Sequence, residues 1–240
     1  MSGDRVASRL VPPALERKAL SLVLVATGLL ALLTTYIARG VGPGRLDTLV
    51  DEHLIARTRW TRHLAHAVAN LGSPAGVIPL SVAAAALLLF GRRPRAAVLI
   101  VVAPAVASAV TEWVLKPLVG EKLMAGVRAG PALPSGHATG IFSVALVIVL
   151  VALTQRQPRS PGPLQWTAAV LALGVGAAVA TALIAGRLHY FTATIGGGLV
   201  ALVVVLAGAL ALDAVIDRMR WFATAGSQRL DRPRAQTWQV

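Results

Sequence analysis

Six stretches of this chain carry no Asp, Glu, Lys or Arg: Ala19–Ala38, Leu71–Gly91, Ala96–Thr111, Ala129–Gln155, Ser160–Gly186 and Tyr190–Leu212. A helix needs roughly 20 apolar residues to cross a bilayer. Five of the runs reach that length alone, and the run from Ala96 reaches it if Trp113, Val114 and Leu115 extend it past Glu112. The composition agrees, with 56% hydrophobic and 14% charged residues and a mean hydropathy of +0.70. Soluble domains carry about 25% charged residues. The expected fold class is therefore all-α, a polytopic membrane protein with six transmembrane helices. The first run is too long for a signal peptide and is followed by no small-residue cleavage site.

The expected organisation is a cytoplasmic arm over residues 1–18, a six-helix membrane domain over 19–217 and a cytoplasmic tail over 218–240. Within the membrane domain, 39–70 is the longest polar connection. There Leu46, Val50, Leu54, Leu64, Val68 and Leu71 recur at helical intervals, with Arg57, Arg59 and Arg62 between them and Trp60 alongside. This pattern predicts an amphipathic interfacial helix between the first and second crossings. His63 and His66 in it have no third ligand at metal-site spacing.

Placing the N-terminus inside puts more than half of the 23 lysines and arginines in cytoplasmic segments. That asymmetry predicts both termini in the cytoplasm, in a multi-pass protein of the cell (inner) membrane. The net charge of +13 is accounted for by basic loops against anionic membrane lipids, so no nucleic-acid partner is expected. There are no cysteines, which excludes disulfides and thiolate chemistry. The oligomeric state is not encoded in any pattern of the sequence.

In this topology, helix ends bring Lys116, Lys122, Arg128, Ser135, His137, Arg187 and His189 to one extracytoplasmic face. Pro134-Ser135-Gly136-His137 has the form of a helix start with Ser135 as its cap. The backbone N–H groups of Gly136 and His137 then point at an anion, and glycine lets a phosphate come close. Cationic side chains would balance the phosphoryl charge without a metal or other cofactor. One imidazole would attack phosphorus while the other protonates the leaving oxygen. Glu112 is one turn before Lys116, so an i, i+4 ion pair is an alternative role for both.

Lys116, Pro134-Ser135-Gly136-His137 and His189-Tyr190 resemble the three signature motifs of the type 2 phosphatidic acid phosphatase superfamily, in its membrane lipid phosphatase branch, and Lys116-Pro117-Leu118-Val119-Gly120 is similar to actinobacterial members. The resemblance implies His189 as the nucleophile that forms a phosphohistidine and His137 as the general acid. It implies Lys116, Ser135 and Gly136 as phosphate-binding, with Arg187 and either Lys122 or Arg128 standing in for motif arginines. The first motif departs from K-x6-R-P, with Leu123 and Met124 at its end. The third departs from S-R-x5-H-x3-D, with Ala182, Leu183 and, in place of the orienting aspartate, Ala193. The expected function is hydrolysis of a lipid phosphate or pyrophosphate, impaired by Ala193. Polyprenyl pyrophosphate is the favoured substrate, ahead of phosphatidate and phosphatidylglycerophosphate. The alternative is a non-catalytic lipid-phosphate binding or scaffolding protein.

Overall fold

The computed structural model describes residues 9–39, 44–119, 133–154 and 161–230. These residues are helical almost throughout: α1 (Pro13–Arg39), α2 (Arg45–Leu54), α3 (Arg59–Ala69), a 3₁₀ turn (Asn70–Gly72), α4 (Pro74–Phe90), α5 (Pro94–Val110), a π turn (Thr111–Leu115), α6 (Lys116–Val119), α7 (Gly136–Thr154), α8 (Pro163–Ala185) and α9 (Phe191–Leu230). Proline stands at the first turn of α4, α5 and α8, where its missing N–H costs no helical bond. The chain is an all-α, multi-pass membrane protein. Pro13–Arg39, Pro94–Val119, Gly136–Thr154, Pro163–Ala185 and Phe191–Phe222 are each long and apolar enough to cross a bilayer. α4 has 17 residues, about 25 Å of helix. It joins α3 across a 52° bend, and the pair together has the length of a sixth crossing.

The 39–70 connection folds as two helices rather than one. Thr58 starts α3 with a capping box, its hydroxyl accepting from the Thr61 N–H at 3.1 Å. Leu46, Leu49, Leu54, Trp60 and Leu64 are exposed, and the one buried residue of α2 is Asp47. At the other end of the chain, α9 runs on to Leu230, so the 217/218 division falls inside a helix.

α7 is the central helix and packs against α8, α9 and α5. Small residues permit the close crossings. A Cβ on Gly197 of α9 would meet the Ser135 carbonyl oxygen at 2.7 Å, and one on Gly72 would meet the His137 carbonyl oxygen at 2.7 Å. Such contacts are the usual means of joining helices where lipid offers no hydrophobic drive. The two glycines therefore hold α9 and the α3–α4 bend directly against the start of α7.

The far end of α7 closes differently. Leu10 and Val11 of the N-terminal arm are buried there, and the Thr154 hydroxyl donates to the Leu10 carbonyl. Arg95 and Asp213 form an ion pair at 2.7 Å with side chains 3% and 1% exposed. The other Asp213 oxygen accepts the Val11 N–H at 2.9 Å. Asp217 bridges Arg95 and Arg9. Arg95, in the first turn of α5, is thus part of a buried tie between α5, α9 and the arm.

Candidate functional site

α7 begins as its sequence dictates. The Ser135 carbonyl accepts the Thr139 N–H at 2.9 Å, which makes Ser135 the cap, and its hydroxyl accepts the Ala138 N–H at 3.3 Å. The N–H groups of Gly136 and His137, first and second in the helix, face the space before it. Ser135 is fully buried. Its own N–H donates to the Ala193 carbonyl at 2.9 Å, which ties the start of α7 to the first turn of α9. The Thr139 hydroxyl donates to the Ser135 carbonyl and accepts from Thr111 at 3.2 Å. Thr111 opens the π turn that precedes Lys116, and such turns concentrate at functional sites.

His189 sits in the turn between α8 and α9, two residues before the latter's first helical residue. That turn is a Schellman motif: the Arg187 N–H donates to the Ile184 carbonyl at 2.9 Å and the Leu188 N–H to the Leu183 carbonyl at 2.8 Å. Arg187 occupies its left-handed position with φ 57°, where glycine is the usual residue. A side chain there costs about 1–2 kcal/mol. The end of α4 is built the same way, with Arg92 at φ 57°. Arg187→Gly is therefore expected to raise stability by about 1 kcal/mol and, if the site carries the chemistry that its motifs resemble, to lower phosphate turnover. Arg92→Gly should give the same stabilisation with turnover unchanged. Thermal melts and phosphate release on the two variants check both halves. Equal turnover in both would show that the Arg187 guanidinium does not serve the site.

The two starts converge. The His137 and His189 rings lie 6.0 Å apart between centroids, tilted by 52°, close enough for one small anion to touch both. Lys116 is held by Glu112, with Nζ 2.6 Å and 2.7 Å from its two oxygens. The pair lies against the start of α7, since a Cβ on Gly136 would meet Glu112 Oε1 at 2.6 Å. A carboxylate thus stands beside the backbone where an anion is expected. The Glu112 side chain is 45% exposed. The Lys116 side chain is 17% exposed, so an anion arriving at the helix start would compete with the carboxylate for it.

Arg187 is exposed, and its charge acts on Asp51 of α2. Burial first, and then the neighbouring Asp47, push the Asp51 carboxyl up to about 6, with Arg187 opposing. The Tyr190 phenol is pushed up by burial and then by Asp51 and Asp47. Ala193 is buried against Val119 and Leu133. Lys122 and Arg128 lie outside the described residues. Among the described residues, no group of three or more His, Asp or Glu side chains is disposed to hold a metal ion.

The acids were the missed residues. Asp47 is 3% exposed, and its carboxylate accepts the Thr192 N–H at 2.8 Å and the Thr192 hydroxyl at 2.9 Å. The available signal was three acids, Asp47, Asp51 and Glu52, in an otherwise basic connection, the first two one helical turn apart.

No family model matches the chain, and no curated protein does. A solved structure does: a transmembrane PAP2 type phosphatidylglycerolphosphate phosphatase from Bacillus subtilis. The TM-score is 0.62 at 14% identity, covering 82% of this chain and 96% of that one. The two share a fold. At that identity the likeness fixes the path of the helices, and the side chains at their ends are this chain's own.

Proposed function

We propose that this chain is a membrane lipid phosphatase of the type 2 phosphatidic acid phosphatase kind. The observation that carries the reading is the pairing of the His137 and His189 rings at the starts of two helices, in a fold shared with a transmembrane phosphatase. His189 attacks phosphorus and forms a phosphohistidine as the P–O bond to the lipid breaks. His137 gives its proton to the leaving oxygen. Water then attacks the phosphohistidine with His137 as base, releasing phosphate and freeing His189. The Gly136 and His137 N–H groups, Lys116 once released by Glu112, and Arg187 stabilise the equatorial oxygens. Lys122 or Arg128 adds a further cation.

The site faces the extracytoplasmic side in this proposal, a reading supported by the lysine and arginine asymmetry, which favours both termini in the cytoplasm. A polyprenyl pyrophosphate or phosphate is the leading substrate. Phosphatidylglycerophosphate, acted on by the Bacillus subtilis protein, and phosphatidate are its rivals. Ala193 and the Glu112 carboxylate beside Gly136 support a second reading, in which the site binds lipid phosphate without turning it over.

Phosphate release from a panel of these lipids, with and without EDTA, tests the proposal. Release is expected in both conditions, from the parent chain slowly and from Ala193→Asp faster. Activity abolished by EDTA and restored by magnesium would overturn the mechanism. Saturable binding with no release from either chain would favour the second reading.

A further inference from the structure

The turn that carries His189 is braced on both sides by the 44–56 segment. Before the turn, the Ala56 N–H donates to the Ala185 carbonyl at 3.0 Å. After it, Asp47 binds Thr192 through both carboxylate oxygens. α9 begins at Phe191. Its first helical bond runs from the Thr194 N–H to the Tyr190 carbonyl, which puts Tyr190 at the cap position and Thr192 second in the helix. The Thr192 N–H is therefore one of the donors a helix leaves unsatisfied. Asp47, 145 residues earlier in the chain, supplies its acceptor.

The burial of Asp47 has no hydrophobic explanation. α2 turns its leucines outward and its acid inward. Burying a carboxylate is costly unless hydrogen bonds and a favourable field compensate. Two bonds to Thr192 and the positive end of α9 provide both. The same first turn carries the Ala193 carbonyl, which accepts from Ser135. One carboxylate thus fixes the turn that joins the two histidine-bearing helix starts.

We infer that Asp47 is a positioning residue for His189, acting through Thr192 and the first turn of α9. The inference rests on the phosphatase reading for its kinetic consequence but not for its structural one. It assigns the 44–56 segment a second role beside lying at the membrane surface: it holds the turn of the candidate nucleophile from outside, where residue 193 offers no carboxylate from within.

The test uses the full chain in lipid nanodiscs, with histidine rings isotopically labelled and the His189 signal assigned by its loss in His189→Gln. Asp47→Ala is expected to lower kcat about 10-fold or more, in keeping with the cost of small misplacements at a reacting centre, with KM within about twofold. It should also split or broaden the His189 ring signal. Asp47→Asn keeps an acceptor for the Thr192 N–H and should restore most of both. Thr192→Val keeps the acid, loses one bond and should fall between. If Asp47→Ala does not fold, Asp47→Asn and Thr192→Val still rank the effect. A folded Asp47→Ala or Thr192→Val with the parent's kcat and His189 signal would overturn the inference, as would an Asp47→Asn no better than Asp47→Ala. Should neither the parent nor Ala193→Asp release phosphate from any lipid, the phosphatase reading fails, and the His189 signal alone decides the positioning role.

Discussion

Ala193→Asp is expected to raise the turnover of a lipid phosphate by at least about 10²-fold. In serine proteases, the carboxylate that orients a catalytic histidine is worth on the order of 10⁴ in rate. The smaller figure allows for a different reaction. His189 precedes the cap residue of α9, and residue 193 is the third in that helix. A side chain at the third position reaches back toward the residues before the helix, as in a capping box. A carboxylate there also meets the positive end of the helix dipole. Alanine can do neither.

The substitution has a cost, because the Ala193 methyl packs against Val119 and Leu133. Placing an acid among them should lower stability by about 1–3 kcal/mol unless His189 bonds to it. A rate gain with little loss of stability would therefore signal the intended pair. Ala193→Asn, which can accept a bond but carries no charge, should recover a smaller share. His189→Ala added to Ala193→Asp should remove the gain. If the parent is already fast and Ala193→Asp changes nothing, another group orients His189, and Asp47 is the residue to examine.

The parts of this molecule that could be read from its sequence are those set by neighbours along the chain. The length and apolarity of each run place the crossings, and Pro74, Pro94 and Pro163 mark helix starts because proline tolerates that position. Ser135 shows itself as a cap within four residues, and the Glu112–Lys116 pair is fixed by one turn of helix. The break between α2 and α3 was signalled by Thr58 and Thr61, but no glycine or proline draws attention to it. α9 continues past residue 217 because no proline occurs before Pro233, although its charges read as a tail. What could not be read depends on distant partners. Nothing near Asp47 says that it meets Thr192, and nothing near Leu10 or Val11 says that they close the far end of the bundle. The same holds for Arg187, which the motif resemblance assigned to a phosphate and whose neighbour Asp51 comes from another element.

Asp213→Ala is expected to destabilise the folded chain by about 3–5 kcal/mol, the usual cost of leaving a buried charge without its partner. At this chain length that lowers the melting temperature by roughly 6–20 °C. The loss has two sources. Arg95, with its side chain 3% exposed, keeps only Asp217, which is itself 40% exposed. The Val11 N–H loses its acceptor, so the arm that covers the end of α7 loosens as well. Arg95→Ala should cost a similar amount by stranding Asp213. Arg95→Met combined with Asp213→Leu should recover the part of the loss due to the stranded charge, since an apolar pair of similar volume replaces a buried ion pair at little cost, but not the part due to the Val11 N–H, which still lacks its acceptor. The tie lies at the end of the bundle opposite His137 and His189, so below the melting transition kcat should stay near the parent's value. Melting in detergent, monitored by helix content, measures all four proteins. A midpoint within about 2 °C of the parent for Asp213→Ala would mean that water reaches Arg95 and that the pair is not a buried one.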